Sequence, residues 1–264
     1  MKKSLLDVLF MSDIRKDLLF LLKDGPKDIR TIMGIMDIER QPLIFQLKIL
    51  EDGFLLTKEA GSEEPYKLTT IGKLLVEEME PLMSILDFLD SNDGYWEDHR
   101  LDFIPRRLIK RLPELDPCTI VDPPFSEMYE FDRMFLEKSK VSSSFFTVTT
   151  CLHPVFVSLF LELLDKGVDI SVVLSRELFE KMRSEQYSDL KHLVKNRRTE
   201  FYLYPKDMHF VSFAENDHYV QLMLLTNEDY YDNKHLMLSD PDALKWGKDF
   251  FDHYKNDSLQ ITDV

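Results

Sequence analysis

The stretch from residue 39 to residue 56 reads ERQPLIFQLKILEDGFLL, and it decides the fold of the first part of the chain. Leucines recur in it at the spacing of a single helix face, at Leu43, Leu47 and Leu50. This spacing predicts an amphipathic helix over residues 39–52. Pro42 falls in the first turn, where its missing N–H costs little. Gly53 follows at a position that commonly takes a left-handed conformation and ends a helix.

The segments on both sides of this helix complete a small domain. Two β-rich runs flank a polar tip, which is the pattern of a hairpin. The predicted helices cover residues 5–10, 13–23, 27–33, 39–52 and 71–79, and the hairpin strands cover residues 54–57 and 66–69. A helix-turn-helix followed by a hairpin and a further helix is a winged helix. We therefore predict a winged helix-turn-helix, DNA-binding domain over residues 1–80.

The second half of the chain alternates between strand and helix patterns. Strands are predicted over residues 118–121, 145–149, 168–174, 200–204, 210–213 and 220–225, and helices over residues 127–139, 154–166, 177–184, 188–196 and 242–255. Strands separated by helices indicate an α/β domain, and the consecutive later strands make its sheet mixed. Pro81 marks a predicted joint, so residues 81–116 form a connecting helix and linker before the domain at 117–264. The fold class is α+β / α/β.

Charge and composition limit the function. The net charge of −15 opposes general affinity for nucleic acid. Residues 1–80 hold 12 Lys+Arg against 15 Asp+Glu, whereas residues 81–264 hold 21 against 33. The first segment is therefore the better partner for an anion. No apolar run approaches a membrane span, and two distant cysteines fit free thiols in a cytoplasmic protein. The histidines lack metal-ligand spacing, so neither a metal nor a cofactor is expected.

The face of the predicted helix opposite its leucines carries the candidate reading residues. Arginine, glutamine and lysine can contact base edges or phosphates, and apolar side chains can contact thymine methyl groups. The candidate DNA-binding residues are Lys27, Arg30, Thr31, Arg40, Gln41, Ile44, Phe45, Lys48, Lys58 and Lys67. Those before residue 40 would clamp phosphates, and the last two lie on the wing.

Three apolar residues leave an alternative open. An ordinary solvent-facing surface would not carry Ile44, Phe45 and Ile49 together, so they meet either thymine methyl groups or protein. Phe45 and Ile49 individually fit packing against neighbouring helices or a second subunit at least as well. The glutamates at the wing tip weaken its attraction to phosphates, and any single lysine is commonly just solvated.

Four stretches of the chain resemble a known family. They are YKLTTIGKLLVEEMEPL, GYWEDHRLDFIPRRLIKRLPEL, LHPVFVSLFLELLDKGVDISVVLSRELFEKM and DPDALKWGKDFFDHY. The sequence resembles the archaeal winged-helix regulators of the methanogenesis regulatory protein type. The resemblance implies transcriptional regulation in an archaeon, a methanogen, with a winged helix followed by a phospholipase-D-like α/β domain. That second domain would sense an effector or mediate assembly.

The resemblance to a phospholipase-D-like fold does not extend to catalysis. Such enzymes need paired H-x-K-x4-D motifs. The H-x-K of this chain, at residues 253–255, has Gln260 where the aspartate should stand and occurs once. We therefore expect a non-catalytic domain and no enzyme activity.

The carboxyl ends of the predicted parallel strands suggest an effector site. Ligands of open α/β sheets favour the crevice beyond these ends, and a helix N-terminus there favours an anion. The candidate effector residues are Thr149, Thr150, His153, Arg176, Tyr204, Lys206, Tyr231 and His235. The alternative is purely structural: the threonines cap a helix, His153 bonds locally and Arg176 pairs with a carboxylate.

Two functions are consistent with the sequence. The first is a sequence-specific DNA-binding transcription regulator that binds double-stranded DNA as a homodimer, with candidate dimer surfaces at residues 5–10 and 82–89. The second is a protein-interaction module that uses the winged helix to contact a protein of the transcription machinery. The acidic balance and the apolar Phe45 and Ile49 favour the second.

Overall fold

The computed structural model describes residues 4–58, 65–91, 94–124, 132–151 and 153–264. Its contacts divide the chain into two compact units, Met1–Ser84 and Ile85–Val264. Each unit has a hydrophobic core of its own.

Four helices open the first unit, and polar side chains cap three of them. The helices are α1 (Leu5–Phe10), α2 (Asp13–Leu21), α3 (Ile29–Met36) and α4 (Arg40–Asp52). Ser4, Ser12 and Asp28 each accept a hydrogen bond from the backbone N–H three residues later. Such caps satisfy N–H groups that have no partner inside the helix. They explain why the short helices begin at these residues.

The leucines of α4 anchor it in the core of the first unit, as predicted. Leu43, Leu47 and Leu50 are fully buried there. The prediction that Gly53 takes the left-handed conformation at the end of α4 was wrong. Gly53 has a φ of −80°, and Phe54, with a φ of 60°, takes the left-handed conformation instead. Phe54 N–H and Leu55 N–H still donate to carbonyls of the last turn, so the helix ends in satisfied hydrogen bonds.

The predicted hairpin is present. Strands β1 (Leu56–Lys58) and β2 (Tyr66–Leu68) pair antiparallel, with Leu56 opposite Leu68. The backbone of Lys27 adds an antiparallel bridge to Tyr66, which ties the segment before α3 to the wing. The wing tip, residues 59–64, lies outside the described residues.

A single helix, α5 (Thr70–Asp90), closes the first unit and continues past Pro81. Pro81 therefore does not interrupt the helix, and the boundary between the two units, after Ser84, lies within it. A proline inside a helix removes the hydrogen bond to the carbonyl four residues earlier, here that of Glu77. Both Pro81 and Glu77 are exposed, so water can satisfy that carbonyl and the helix persists. Thr69 caps α5, because its Oγ1 accepts from Gly72 N–H at 3.0 Å.

The second unit combines a mixed sheet with helices on its faces. Its helices are α6 (Tyr95–Asp98), α7 (Arg106–Ile109), α8 (Arg133–Ser139), α9 (Phe156–Asp165), α10 (Arg176–Glu185), α11 (Tyr187–Val194) and α12 (Pro241–Asn256), with a 3-10 turn at Leu112–Leu115. Its strands are β3 (Cys118–Val121), β4 (Ser144–Thr149), β5 (Asp169–Leu174), β6 (Thr199–Leu203), β7 (Ser212–Asn216), β8 (Val220–Met223), β9 (His235–Leu238) and β10 (Leu259–Ile261). The start of the predicted helix at 127–139 lies partly outside the described residues.

The strands form one sheet in the order β10-β6-β5-β4-β7-β8-β9-β3. Strands β4, β5 and β6 are parallel, and the remaining pairings are antiparallel. The predicted fold class, a winged helix-turn-helix followed by an α/β domain with a mixed sheet, is confirmed. Prediction from sequence missed β9 and β10, because each is only three or four residues long and β9, with the sequence HLML, does not alternate apolar with polar residues.

Two clusters of buried residues cover the two faces of the sheet. Trp246, Phe250 and Phe251 of α12 lie in one of them and are fully buried. The same cluster contains residues from the segment predicted as a linker, namely Tyr95, Trp96, Phe103, Ile104, Leu108, Leu112 and Leu115. Most of the segment 81–116 therefore packs as part of the second unit. No helix in the described part of the chain is long and apolar enough to cross a membrane.

Candidate nucleic-acid interface and effector cavity

Helix α4 presents a polar and apolar face away from its buried leucines. The residues predicted to contact DNA on this helix are all exposed, namely Arg40, Gln41, Ile44, Phe45 and Lys48. Among the described residues, neither Arg40 nor Lys48 forms an ion pair. Their charges are therefore available to an anion from solution.

A groove of about 450 Å³ runs between α3 and the start of α4. Arg30, Thr31 and Arg40 line it, so the structure brings together three of the predicted DNA-binding residues. Asp28 lies at the same groove and caps α3. The backbone N–H of Thr31 lowers the pKa of the Asp28 carboxyl, with a further contribution from the Thr31 hydroxyl, which donates to it at 3.2 Å. Thr31 therefore has a structural role as well as a place at the groove.

The apolar residues of α4 do not share one environment. Phe45 is 62% exposed and Ile44 is 39% exposed, so neither is a core residue of its own chain. Ile49 is half-buried and packs against the core of the first unit. For Ile49 the predicted packing within the chain therefore holds, while Ile44 and Phe45 face outward.

A buried arginine that prediction from sequence did not single out supports this face. Arg15 on α2 is only 5% exposed. Its guanidinium donates to the carbonyls of Val8 and Asp7 at 2.6 and 3.0 Å, and to Gln46 Oε1 of α4 at 3.0 Å. These bonds tie α1, α2 and α4 together. The polar Gln46 among the apolar residues of α4 was the available signal for such a contact.

The wing and the segment before α3 carry the remaining predicted cations. Lys58 Nζ lies 5.5 Å from the centre of the Tyr66 ring, so it stacks on the wing itself. Lys67 is half-buried on β2, and Lys27 is half-buried where its backbone bridges to Tyr66. These lysines lie outside the groove that Arg30 and Arg40 line.

The carboxyl ends of the parallel strands meet at one edge of the sheet, as predicted. Ser175 N–H donates to the Thr149 carbonyl at 3.1 Å, and Tyr204 N–H donates to the Leu174 carbonyl at 3.0 Å. A cavity of about 330 Å³ lies at this edge. It is lined by Thr150, Ser175, Arg176, Glu177, Lys206 and Asp207, together with Pro205 and Met208.

The cavity unites Thr150, Arg176 and Lys206 from the predicted effector set, and the other five members lie elsewhere among the described residues. Thr149 is buried, and its hydroxyl donates to the Cys151 carbonyl at 3.1 Å. His153 Nδ1 accepts a local bond from Val155 N–H at 3.4 Å. His153 forms the local bond that the structural alternative predicted. Thr149 does not cap a helix, because α9 begins at Phe156 with Val155 as its N-cap.

The three aromatic members of the predicted set are buried or half-buried away from the cavity. Tyr204 packs on Tyr254, with ring centres 4.9 Å apart. Burial raises the pKa of Tyr231, and it lowers the pKa of His235, which lies on β9. A buried, neutral histidine is a poor partner for an anionic effector.

Two sequence models of one family match the chain. The model described as methanogenesis regulatory protein FilR1, N-terminal domain, matches residues 3–87. The model described as methanogenesis regulatory protein FilR1, middle domain, matches residues 128–257. Together they take in most of the chain, in the order in which the two units occur. The chain belongs to this family. As a member of the FilR1 family, it is related to a regulatory protein, which agrees with the expectation that it is not an enzyme.

A curated relative extends the comparison to nearly the full chain. The methanogenesis regulatory protein FilR1 of Methanothrix harundinacea (strain 6Ac) is 21% identical over 257 residues, covering 95% of this chain. The chain spans 56% of the length of that relative. The activity of the whole relative is therefore not transferred to this chain as a finding.

Solved structures resemble the chain only weakly. TrmBL2, an archaeal chromatin protein whose structure shows a novel mode of DNA binding, has a TM-score of 0.43 at 13% identity and covers 97% of both chains. Nuc, a phospholipase D family member from Salmonella typhimurium, has a TM-score of 0.40 at 10% identity and covers 55% of this chain and 97% of its own. Scores this low carry no weight for function.

Proposed function

We propose that this protein is a DNA-binding transcription regulator that reads double-stranded DNA with α4 of its winged helix. The observation that carries the proposal is the exposed face of α4, where Arg40, Gln41 and Lys48 stand beside the outward-facing Ile44 and Phe45. The groove shared by Arg30 and Arg40 supplies neighbouring cations for phosphates. The FilR1 family and its regulatory name support the same function.

Specific recognition by a winged helix commonly requires two copies, so we propose a homodimer. Exposed apolar side chains on two helices of the first unit support this assembly. They are Leu5, Leu6 and Phe10 of α1, the adjacent Met11, and Ile71, Leu74 and Leu82 of α5. Burying such residues against a second copy would remove apolar surface from water. Sedimentation equilibrium should find a dimer that Leu6→Glu with Leu74→Glu converts to monomer.

We also propose that the cavity at the carboxyl edge of β4, β5 and β6 senses a small anion. Its lining balances two cations, Arg176 and Lys206, against the carboxylates of Glu177 and Asp207. The N-terminus of α10, which begins at Arg176, favours an anion there. Lys206 already pairs with Asp257 at 2.9 Å, so Arg176 supplies most of the attraction. Titration with inorganic phosphate should shift the melting temperature of the protein, and Arg176→Ala should remove that shift.

DNA binding is tested by fluorescence anisotropy with labelled duplex DNA from upstream of the gene for this protein. We expect Arg40→Ala with Lys48→Ala to weaken binding by at least about tenfold, because each lost base contact costs about 1–3 kcal/mol. Arg197→Ala is the matched control, since Arg197 is an exposed arginine of the second unit without an ion pair among the described residues. Equal affinities for the two variants would contradict the proposal.

The protein-interaction alternative retains one specific observation, the exposed Phe45. Large exposed aromatic side chains are typical anchors of protein interfaces. If this alternative holds, wild type should fail to bind any duplex in a salt-dependent manner, and Phe45→Ala should weaken the binding of a protein partner instead.

A further inference from the structure

A second cavity in the second unit is more acidic than the cavity at the predicted effector site. It has a volume of about 570 Å³, within the range of small-molecule sites. Its lining includes Asp98, Asp122, Thr226, Glu228, Tyr230 and Asp232. Prediction from sequence did not bring these residues together, because they come from α6, the end of β3 and the loop between β8 and β9.

The charge of this cavity is strongly negative. Four carboxylates line it against one cation, Lys234. The ammonium of Lys234 lies 3.5 Å from Asp232 Oδ2, so it offsets only one of the four charges. Such a cavity repels anions, whereas the carboxylates of its lining attract a cation electrostatically.

The loop that forms the cavity is held in place by hydrogen bonds, so the site is preformed. Asn227 N–H donates to the Asp98 carbonyl at 2.9 Å, and Asn227 Nδ2 donates to the Glu97 carbonyl at 2.6 Å. Thr226 N–H donates to the Tyr230 carbonyl at 2.9 Å, which closes a tight turn. A preformed site loses little conformational entropy when it binds.

A buried polar group on the wall has no partner. Thr226 is 4% exposed and lines the cavity, and its Oγ1 has no hydrogen bond with any described residue. Buried hydroxyl groups are ordinarily paired, because an unpaired one costs free energy. A ligand that reaches the wall would supply the missing hydrogen bond.

Asp232, which lines the same cavity as Thr226, is held in its ionised form. Lys234 N–H donates to Asp232 Oδ1 at 3.1 Å, and His99 Nε2 lies 3.4 Å from the same oxygen. Burial raises the pKa of the Asp232 carboxyl, but these neighbours outweigh it and hold the pKa below its ordinary value. His99 is itself buried, with Nδ1 2.7 Å from the Tyr95 carbonyl, so it positions Asp232 from the protein side.

The four carboxylates that line the cavity come from three separate segments of the chain. In the described part of the chain, no three histidine, cysteine or carboxylate side chains converge closely enough to hold a metal ion. Dispersed carboxylates fit a longer cation whose charge or hydrogen bonds are spread along it. The exposed Tyr230 ring adds an aromatic face of the kind that attracts ammonium groups.

We propose that this cavity binds a small organic amine, with an ammonium group at Asp232 and Thr226 and the rest of the molecule along Asp98, Asp122 and Glu228. The ligand class is a linear mono- or diamine. This site does not depend on DNA binding or on the anion site, because none of its residues belongs to either.

Isothermal titration calorimetry of the full chain with 1,4-diaminobutane tests the proposal, and 1,4-butanediol is the uncharged control of the same length. We expect saturable one-to-one binding of the diamine and none of the diol. Absence of diamine binding at millimolar concentration, or equal binding of the diol, would overturn the proposal.

Three variants locate the binding. Thr226→Val and Asp232→Asn should each weaken the diamine about tenfold or more, whereas Asp165→Asn, an exposed position on α9, should not. Thr226→Val removes only an unpaired hydroxyl, so its melting temperature should be unchanged or higher. It therefore tests the site even if Asp232→Asn disturbs the loop. Equal weakening by all three variants would show general attraction to an acidic protein and would overturn the site.

Discussion

Two candidate sites of this chain, one in each unit, carry opposite charges. The groove of the first unit presents Arg30 and Arg40, whereas the amine cavity of the second unit presents Asp98, Asp122 and Asp232. A net charge of −15 describes neither surface. The charge of a ligand that each site attracts depends on the nearby side chains, because electrostatic attraction between exposed charges fades within about 10 Å at ordinary salt.

The two sites also differ in what supports them. The reading face lies on a helix whose opposite side is anchored by buried leucines and by Arg15. The amine cavity lies on loops held by backbone hydrogen bonds and has the unpaired Thr226 in its wall. A substitution in one unit should therefore leave ligand binding by the other unit unchanged. The predictions below measure the two units separately.

The largest expected effect is a loss of stability of the first unit in the Gly72→Ala variant. A Cβ at Gly72 would lie 2.2 Å from the Leu55 carbonyl oxygen, and this oxygen belongs to the backbone and cannot rotate away. We expect a loss of about 3 kcal/mol of unfolding free energy, at the upper end of overpacking costs. Differential scanning calorimetry and DNA anisotropy should show a destabilised first unit and lost DNA binding.

Gly34→Ala is the matched control for this substitution. Gly34 lies inside α3, and a Cβ there would meet nothing within 4 Å. Alanine should stabilise the helix by up to about 1 kcal/mol. Diamine binding by the second unit should survive in both variants, and its loss in Gly72→Ala would contradict the independence of the two sites.

Glu215 should contribute less to the stability of the second unit as the pH rises. Burial raises the pKa of Glu215 to about 8 from its ordinary value of 4.5, although Lys248 opposes the shift. Between these two values the folded state keeps a proton that the unfolded state has released. The contribution of Glu215 to the unfolding free energy should therefore fall by up to about 1.4 kcal/mol per pH unit between pH 5 and pH 8. Calorimetry over this range measures the slope.

Glu215→Gln isolates this contribution, because the amide keeps the shape of the protonated carboxyl without its titration. The variant should lose the Glu215 part of the slope and exceed wild type in stability at pH 8. The same slope in wild type and variant would show that Glu215 is ionised in the folded protein.

The smallest expected effect concerns Phe45. Because Phe45 is exposed, Phe45→Ala should change the unfolding free energy by no more than about 0.5 kcal/mol. If it contacts a thymine methyl group, DNA affinity should fall by about 1 kcal/mol, or about fivefold. Val141→Ala, at an exposed apolar position of the second unit, should change neither. A large loss of stability in Phe45→Ala would contradict its placement on a solvent-facing surface.

Sequence periodicity was sufficient for the first unit, because local signals there agree with one another. The leucines of α4 lie on its buried face, where the pattern placed them. Prediction from sequence failed where a residue type can adopt more than one local structure. Pro81 lies in the interior of a helix, and Phe54 takes the left-handed conformation beside an available glycine.

The second unit was predictable at the level of its strands and only partly at the level of its sites. The carboxyl ends of parallel strands brought Thr150, Arg176 and Lys206 together, because chain direction fixes which ends meet. The amine cavity depends instead on a loop after β8 that packs on α6. Pairing between segments more than 120 residues apart leaves no local pattern in the sequence.

The salt dependence of DNA binding tests the central claim most directly. Anisotropy titrations between 50 and 200 mM salt give the slope of log affinity against log salt concentration, which reports the number of phosphates neutralised. We predict a negative slope for wild type, a slope smaller by about one in Arg30→Ala, and an unchanged slope in Arg197→Ala. A slope near zero in wild type, or the same slope in Arg30→Ala, would contradict DNA recognition by this winged helix.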